Sequence, residues 1–209
     1  MAFWPAMVNV AGRRCVIVGG GAVAARRARS LIEAGAAVTV IAPAIDQALV
    51  DLELERVERA FTPTDLDDAF LVVIATNETT VNDAVAEAAR ERRVLVNRTD
   101  RPAESDLTVP AHAHHGPVTI AVDTNGVSAA ASAAIRRQLS AALDPAWPRL
   151  LELARPYRDR VQQACHDSGQ RQARLRRLTD QTAMNILKTD GEAALQAHLA
   201  AIAAGESEQ

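Results

Sequence analysis

Apolar residues change their spacing along this chain, and the changes divide it. Arg14, Cys15, Val16, Ile17 and Val18 make a short strand-type run, and Ala22 to Ala34 follows with helix-forming residues that Gly35 stops. Val38 to Ile41 is a second β-branched run closed by Pro43. Ile45 to Leu54 predicts a helix and Val57 to Phe61 a short strand. Phe70 to Ala75 predicts a buried strand, Thr79 to Arg92 a helix with Val81, Val85 and Ala88 or Ala89 on one face, and Val94 to Val96 another strand. Strands alternating with helices at this spacing predict a parallel sheet covered by helices on both faces. Near residue 100 the pattern shifts. Leu107 to Pro110 and Val118 to Val122 predict two strands joined through His112 to Pro117, and Val127 to Leu143 predicts a long alanine-rich helix. From Pro145 no β-rich run occurs; Trp147–His166, Gln170–Leu187 and Glu192–Ala204 predict three helices, and Gly205 to Gln209 a frayed tail. No internal repeat is visible.

A glycine triplet gives the first of these segments its chemistry. Gly19, Gly20, Gly21, Ala22, Val23 and Ala24 fit G-x-G-x-x-A between a predicted strand and a predicted helix, the context a dinucleotide-binding loop requires. Gly19 permits a tight turn, Gly21 lets a pyrophosphate approach the backbone, and Ala24 lets the helix lie close on the sheet. The helix start then offers free N–H groups and a partial positive charge to phosphate. The expectation is an α/β, Rossmann-like parallel sheet at residues 1–99, a small α+β segment at 100–145 and a helical domain at 146–209. The acid that commonly holds the adenosine ribose after the second strand is missing; Ile41, Ala42 and Pro43 stand there, so backbone groups of this segment are the candidates. This leaves NAD against NADP open, with NAD favoured because no arginine follows to receive a 2′-phosphate. Thr76 and Asn77 end the fourth strand, where ligands sit in such sheets, and read equally as cofactor contacts and as a polar turn capping the next helix.

Composition narrows the partners. The net charge of −3 does not suggest nucleic acid. No run approaches the ~18 apolar residues of a membrane span, and the first ten residues lack the pattern of a secretory signal. Cys15 and Cys165 stand apart, in no metal-ligand spacing, which suits a reducing, cytoplasmic setting. Positive charge is almost all arginine, with Lys188 the single lysine, and residues 149–177 are arginine-rich with Glu152, Asp159 and Asp167 as their only acids. Guanidinium forks suit carboxylates and phosphates, although a GC-rich genome writes the same bias.

Several separated motifs then resemble one family. Phe3-Trp4-Pro5, the run from Val16 through Gly21 to Arg26 and Arg27, Ala75-Thr76-Asn77, and Val96-Asn97 with Asp100 resemble precorrin-2 dehydrogenase, the module that also forms the amino-terminal part of siroheme synthase. Pro110-Ala111, Gly116 to Val122 and Thr124 to Ser128 match its middle segment, so the resemblance covers about residues 3–145; beyond it only helical character matches. It implies oxidation of the tetrapyrrole precorrin-2 to sirohydrochlorin with NAD, a homodimer closed largely through the middle segment, and in some members iron insertion. The chain is short for a methyltransferase domain as well, and looks like the stand-alone form. Gly19, Gly20, Gly21, Ala22, Val23, Ala42, Pro43, Thr76, Asn77 and Asn97 become cofactor candidates. Asp100 falls on the family's functional aspartate and becomes the candidate general base, and the metal-handling residue if iron is inserted. Without the resemblance, an aspartate before Arg101-Pro102 is more commonly a turn residue.

Precorrin-2 has a rim of carboxylates, so a cationic pocket is expected, with Arg98, Arg101 and Arg136 as donors and Asn125, Gly126 and Ser128 as further substrate contacts. Asp123 departs from the serine common among relatives. His112, His114 and His115 fit no metal template and read as a loop or interface cluster. Two rivals remain: a non-catalytic NAD-sensing module, which accounts for residues 14–98 but not for the Asp100 motif, and a chelatase or tetrapyrrole carrier without dehydrogenase activity.

Overall fold

The computed structural model describes residues 3–206, and the chain forms two compact units, residues 1–109 and 110–209. In the first, strands β1 (Arg14–Val18), β2 (Ala37–Ile41), β3 (Glu55–Val57), β4 (Leu71–Ile74) and β5 (Leu95–Arg98) form one parallel sheet in the order β3-β2-β1-β4-β5. Near-continuous apolar strands dictate this, because both faces are covered. On one face, helix α1 (Ala22–Glu33) and the single turn α2 (Gln47–Val50) bury Ala24, Ala25, Ala28 and Leu49 against Ile17, Val40 and Val73. On the other, α3 (Thr79–Arg92) sets Val85, Ala86 and Ala89 against Val16, Val72 and Val96. Strand β1 pairs with β2 on one side and with β4 on the other, so the chain reverses its winding at the carboxyl ends of β1 and β4.

The second unit holds a hairpin, β6 (Ala111–His115) and β7 (Val118–Val122), with α4 (Ala129–Ala142) packed on it. Four helices follow: α5 (Ala146–Ala164), α6 (Ser168–Arg177), α7 (Gln181–Thr189) and α8 (Gly191–Ala204). They share a core built from Leu150, Val161, Leu178, Met184, Leu195, Leu199 and Ile202. Between residues 110 and 143, by contrast, Ser132 is the only buried residue, and Val127, Ile135 and Leu139 are exposed.

Four boundaries differ from the sequence reading. The helix expected over 45–54 is one turn, because Arg56 turns back to bond the carbonyls of Leu49 and Leu54. The third strand is Glu55–Val57 rather than 57–61. Residues 107–110 are not a ladder strand: Asp106 and Leu107 donate to the Val96 carbonyl and cover the free edge of β5, while the histidine segment, expected as a connector, forms β6. The helix expected over 170–187 breaks at Asp180, whose side chain accepts from Ala183 N–H and starts α7. No helix among the described residues is long and apolar enough to cross a membrane.

Candidate functional site

The glycine loop lies at the winding reversal. Gly19 has φ +125°, and a Cβ there would lie 2.3 Å from the Ala75 carbonyl oxygen, so this position requires glycine. A Cβ on Gly20 would lie 2.0 Å from the Ala44 oxygen, and the Gly20 carbonyl accepts from Asp46 N–H at 2.8 Å. The first two glycines thus let the chain after β4 and the chain after β2 close on the loop. Gly21 differs: its backbone is extended and a Cβ would meet nothing within 4 Å. It is the N-cap of α1, no side chain caps that helix, and its first turn has no acid. Uncapped N–H groups facing open space at a helix start fit the pyrophosphate of a dinucleotide. Ala22 and Val23 occupy the exposed first turn, and Ala42 and Pro43 follow β2, the first buried and the second exposed.

At the end of β4 the polar groups are tied together. Thr76 Oγ1 donates to Asn82 Oδ1 at 2.6 Å, the Asn82 amide donates back to the Thr76 carbonyl, and Glu78 N–H donates to Thr76 Oγ1. The Thr76 hydroxyl therefore anchors the start of α3, while Asn77 is exposed. Asn97 is buried on β5; its amide donates to the Leu107 carbonyl at 2.9 Å and its Oδ1 has no protein partner.

Arg98 sits at the end of β5 with its side chain 1% exposed. Its Nε and Nη2 form a fork on the two oxygens of Asp100, at 3.1 and 2.8 Å. Its Nη1 donates to Asp83 Oδ1 at 2.7 Å and to Glu104 Oε2 at 2.9 Å. Arg101 reaches the same two acids at 3.3 and 3.5 Å. Burying an unpaired guanidinium costs several kcal/mol, about what an uncompensated charge loses in hydration; three carboxylates offset that here. The Arg98 fork, chiefly, holds the Asp100 carboxyl down at about 2, with a hydrogen bond from Asn82 adding to it, and the carboxylates in turn raise Arg98 further above its ordinary value. Arg98, expected as a substrate ligand, has its donors committed to Asp83, Asp100 and Glu104. Arg101 is half exposed and shares the same acids. Two guanidiniums against three carboxylates leave one excess negative charge, so this corner is not cationic.

The first unit thus gathers Gly19 to Val23, Ala42, Pro43, Thr76, Asn77 and Asp100 at one edge of its sheet. The remaining candidates lie in the second unit. Asn125 and Gly126 make a left-handed turn, at φ +50° and +76°. The Ser128 hydroxyl, expected to touch substrate, caps α4 by accepting from Ala131 N–H. Arg136 is half-buried on α4. His112 and His114 share one face of β6, their rings 5.6 Å apart, and His114 bonds Thr119. Among the described residues no three His, Cys, Asp or Glu side chains converge as metal ligands. The sequence reading missed Asn82, Asp83 and Glu104. Asn82 had a signal: it stands in the buried stripe of α3 with Val85, Ala86 and Ala89, where an apolar residue is expected.

Comparison with known proteins gives a consistent result. A family model described as "Putative NAD(P)-binding" matches residues 6–111, and one described as "Sirohaem synthase dimerisation region" matches residues 146–202, beyond the segment expected to close a dimer. The siroheme synthase of Nitrosomonas europaea is 35% identical over 168 residues, 78% of this chain and 35% of that protein. That of Methylococcus capsulatus is 37% identical over 168 residues, with the same coverage. The chain therefore spans about a third of the length of these curated relatives. A solved structure described as "SirC, precorrin-2 dehydrogenase" superposes with a TM-score of 0.76 at 23% identity, over 95% of this chain and 99% of that one, which shows a shared fold.

Proposed function

We propose, from the premise that the chain belongs to the NAD(P)-binding family of siroheme synthase amino-terminal modules and precorrin-2 dehydrogenases, that it oxidises precorrin-2 to sirohydrochlorin with NAD. The observation that carries this reading is the open, uncapped start of α1 at Gly21, within one sheet edge of the Asp100 carboxylate. When bound, the nicotinamide supplies the hydride acceptor. The chain's own residues do the rest. Backbone N–H groups of residues 21–23 receive the diphosphate, and the closed Gly19–Ala75 contact leaves the reacting end to the Thr76, Asn77 and Asp100 side of the loop. Dehydrogenation releases a hydride and a proton from the substrate. Asp100 stays ionised through the neutral range and accepts the proton at a lone pair that the Arg98 fork leaves open; because a carboxyl held at about 2 is a weak base, the proton passes on to water.

Two features support a homodimer as the working form: the dimerisation-region match, and a hairpin–helix segment that leaves Val127, Ile135 and Leu139 uncovered. Two buried free thiols, Cys15 and Cys165, suit a cytoplasmic enzyme. The test is direct. Purified protein is mixed with precorrin-2 and NAD, and sirohydrochlorin absorbance and NADH fluorescence are followed together. Equal molar growth of both supports the dehydrogenase; NAD binding with neither signal favours a sensor and refutes it.

A further inference from the structure

We propose that Arg98 is a positioning residue, whose buried guanidinium aims the Asp100 carboxylate and ties it to the start of α3. The inference rests on the dehydrogenase reading and adds to it a residue whose work is done away from the substrate. Three observations carry it. The fork from Nε and Nη2 engages both Asp100 oxygens, so the carboxylate cannot rotate without losing two hydrogen bonds. The other side of the same guanidinium bonds Asp83, the residue next to Asn82, and Glu104 from the turn Pro102–Glu104. Asn82, next to Asp83 in the chain, hydrogen-bonds the Thr76 segment after β4 through both ends of its amide. Asp100, Arg98, Asp83 and Glu104 therefore form one connected frame, and the Asp83–Asn82 stretch of α3 joins it to the Thr76 segment. A lysine at 98 keeps the charge but cannot make the fork, so it separates charge from aim.

The test compares Arg98→Lys and Asp83→Asn with the wild type, each first checked for melting temperature and NAD affinity. Arg98→Lys should lower kcat at least tenfold, toward the hundredfold that about 1 Å of misplacement costs, with the KM for precorrin-2 within threefold. Asp83→Asn should lower kcat a few fold, because the fork survives while its brace loses the negative charge that holds the guanidinium. Wild-type kcat in Arg98→Lys overturns the inference, as does a raised KM at unchanged kcat, which would make Arg98 a substrate ligand. If the lysine variant does not fold, the Asp83→Asn result decides: unchanged kcat there overturns the inference. A second readout needs no turnover. In the NAD-free wild type the Arg98 guanidinium protons should give separate, slowly exchanging NMR signals that Asp100→Ala abolishes. Protected signals in a protein that never oxidises precorrin-2 would sink the functional reading and leave the fork intact. An active enzyme whose signals are averaged would sink the positioning role alone.

Discussion

Gly21→Asp should leave the protein folded and remove its affinity for NAD. The backbone there is extended, at φ −95° and ψ −169°, and a Cβ meets nothing within 4 Å, so the substitution brings neither strain nor clash. An aspartate N-cap gains a few tenths of a kcal/mol over glycine, and a negative charge at a helix start adds about 0.3–1 kcal/mol. The melting temperature should hold or rise by about 1–4 °C, given roughly 2–4 °C per kcal/mol at this chain length. The same carboxylate would stand where the pyrophosphate rests. At about 4 Å and an effective dielectric near 20, one pair of unit charges repels by about 4 kcal/mol, roughly a thousandfold in Kd. Gly20→Ala should fail in the opposite way: its Cβ lies 2.0 Å from the Ala44 oxygen, so the loop after β2 must move, at about 1–3 kcal/mol of stability. Differential scanning fluorimetry and calorimetric titration with NAD read both quantities. A Gly21→Asp protein that binds NAD within threefold of wild type would refute the assignment of the loop.

Asp100→Asn should keep NAD affinity within a few fold and lose most turnover in the coupled absorbance assay; unchanged turnover would remove Asp100 from the chemistry. Asp65 and Asp100 are both held below the ordinary carboxyl range, chiefly by Arg59 and Arg98. Their contribution to stability is therefore full above the unfolded value near ~4 and is lost as pH falls, for Asp100 toward about 2. Melts from pH 5 to pH 2 should show a shallower loss in Asp100→Asn than in wild type, and parallel curves would contradict this. Ile135→Asp with Leu139→Asp, both on exposed positions of α4, should convert dimer to monomer by light scattering while NAD affinity stays within threefold; a persisting dimer would place the contact elsewhere.

What was legible in the sequence was local. Strand, glycine loop and helix lie within about twenty residues of one another, and each is specified by its neighbours: β-branched runs, an absent side chain, small residues at helical spacing. Errors arose where a boundary depends on a distant or unusual partner. Ala111 to His114 alternates alanine and histidine, a period-two pattern that the imidazoles disguise, whereas Leu107 nearby is apolar because it covers β5 rather than because it pairs in a ladder. Asp180 ends one helical period and starts another through a cap, and the apolar spacing continues across it without a break.

The charge of the candidate site shows the same limit in energetic terms. Counting Arg98 and Arg101 as donors to substrate assumed that a charge acts where its residue falls in the chain. Asp83 lies fifteen residues before Arg98, one helix earlier, and Glu104 six after, so neither enters a local reading, yet together with Asp100 they neutralise both arginines and leave an excess negative charge. A guanidinium out of water can be held there only if such partners exist, so the burial of Arg98 and the commitment of its donors to three carboxylates are one fact. On the proposed reading, recognition of substrate carboxylates falls to arginines whose donors are not consumed in this way, and the Asp100 corner is left suited to a group that loses a proton or carries positive charge.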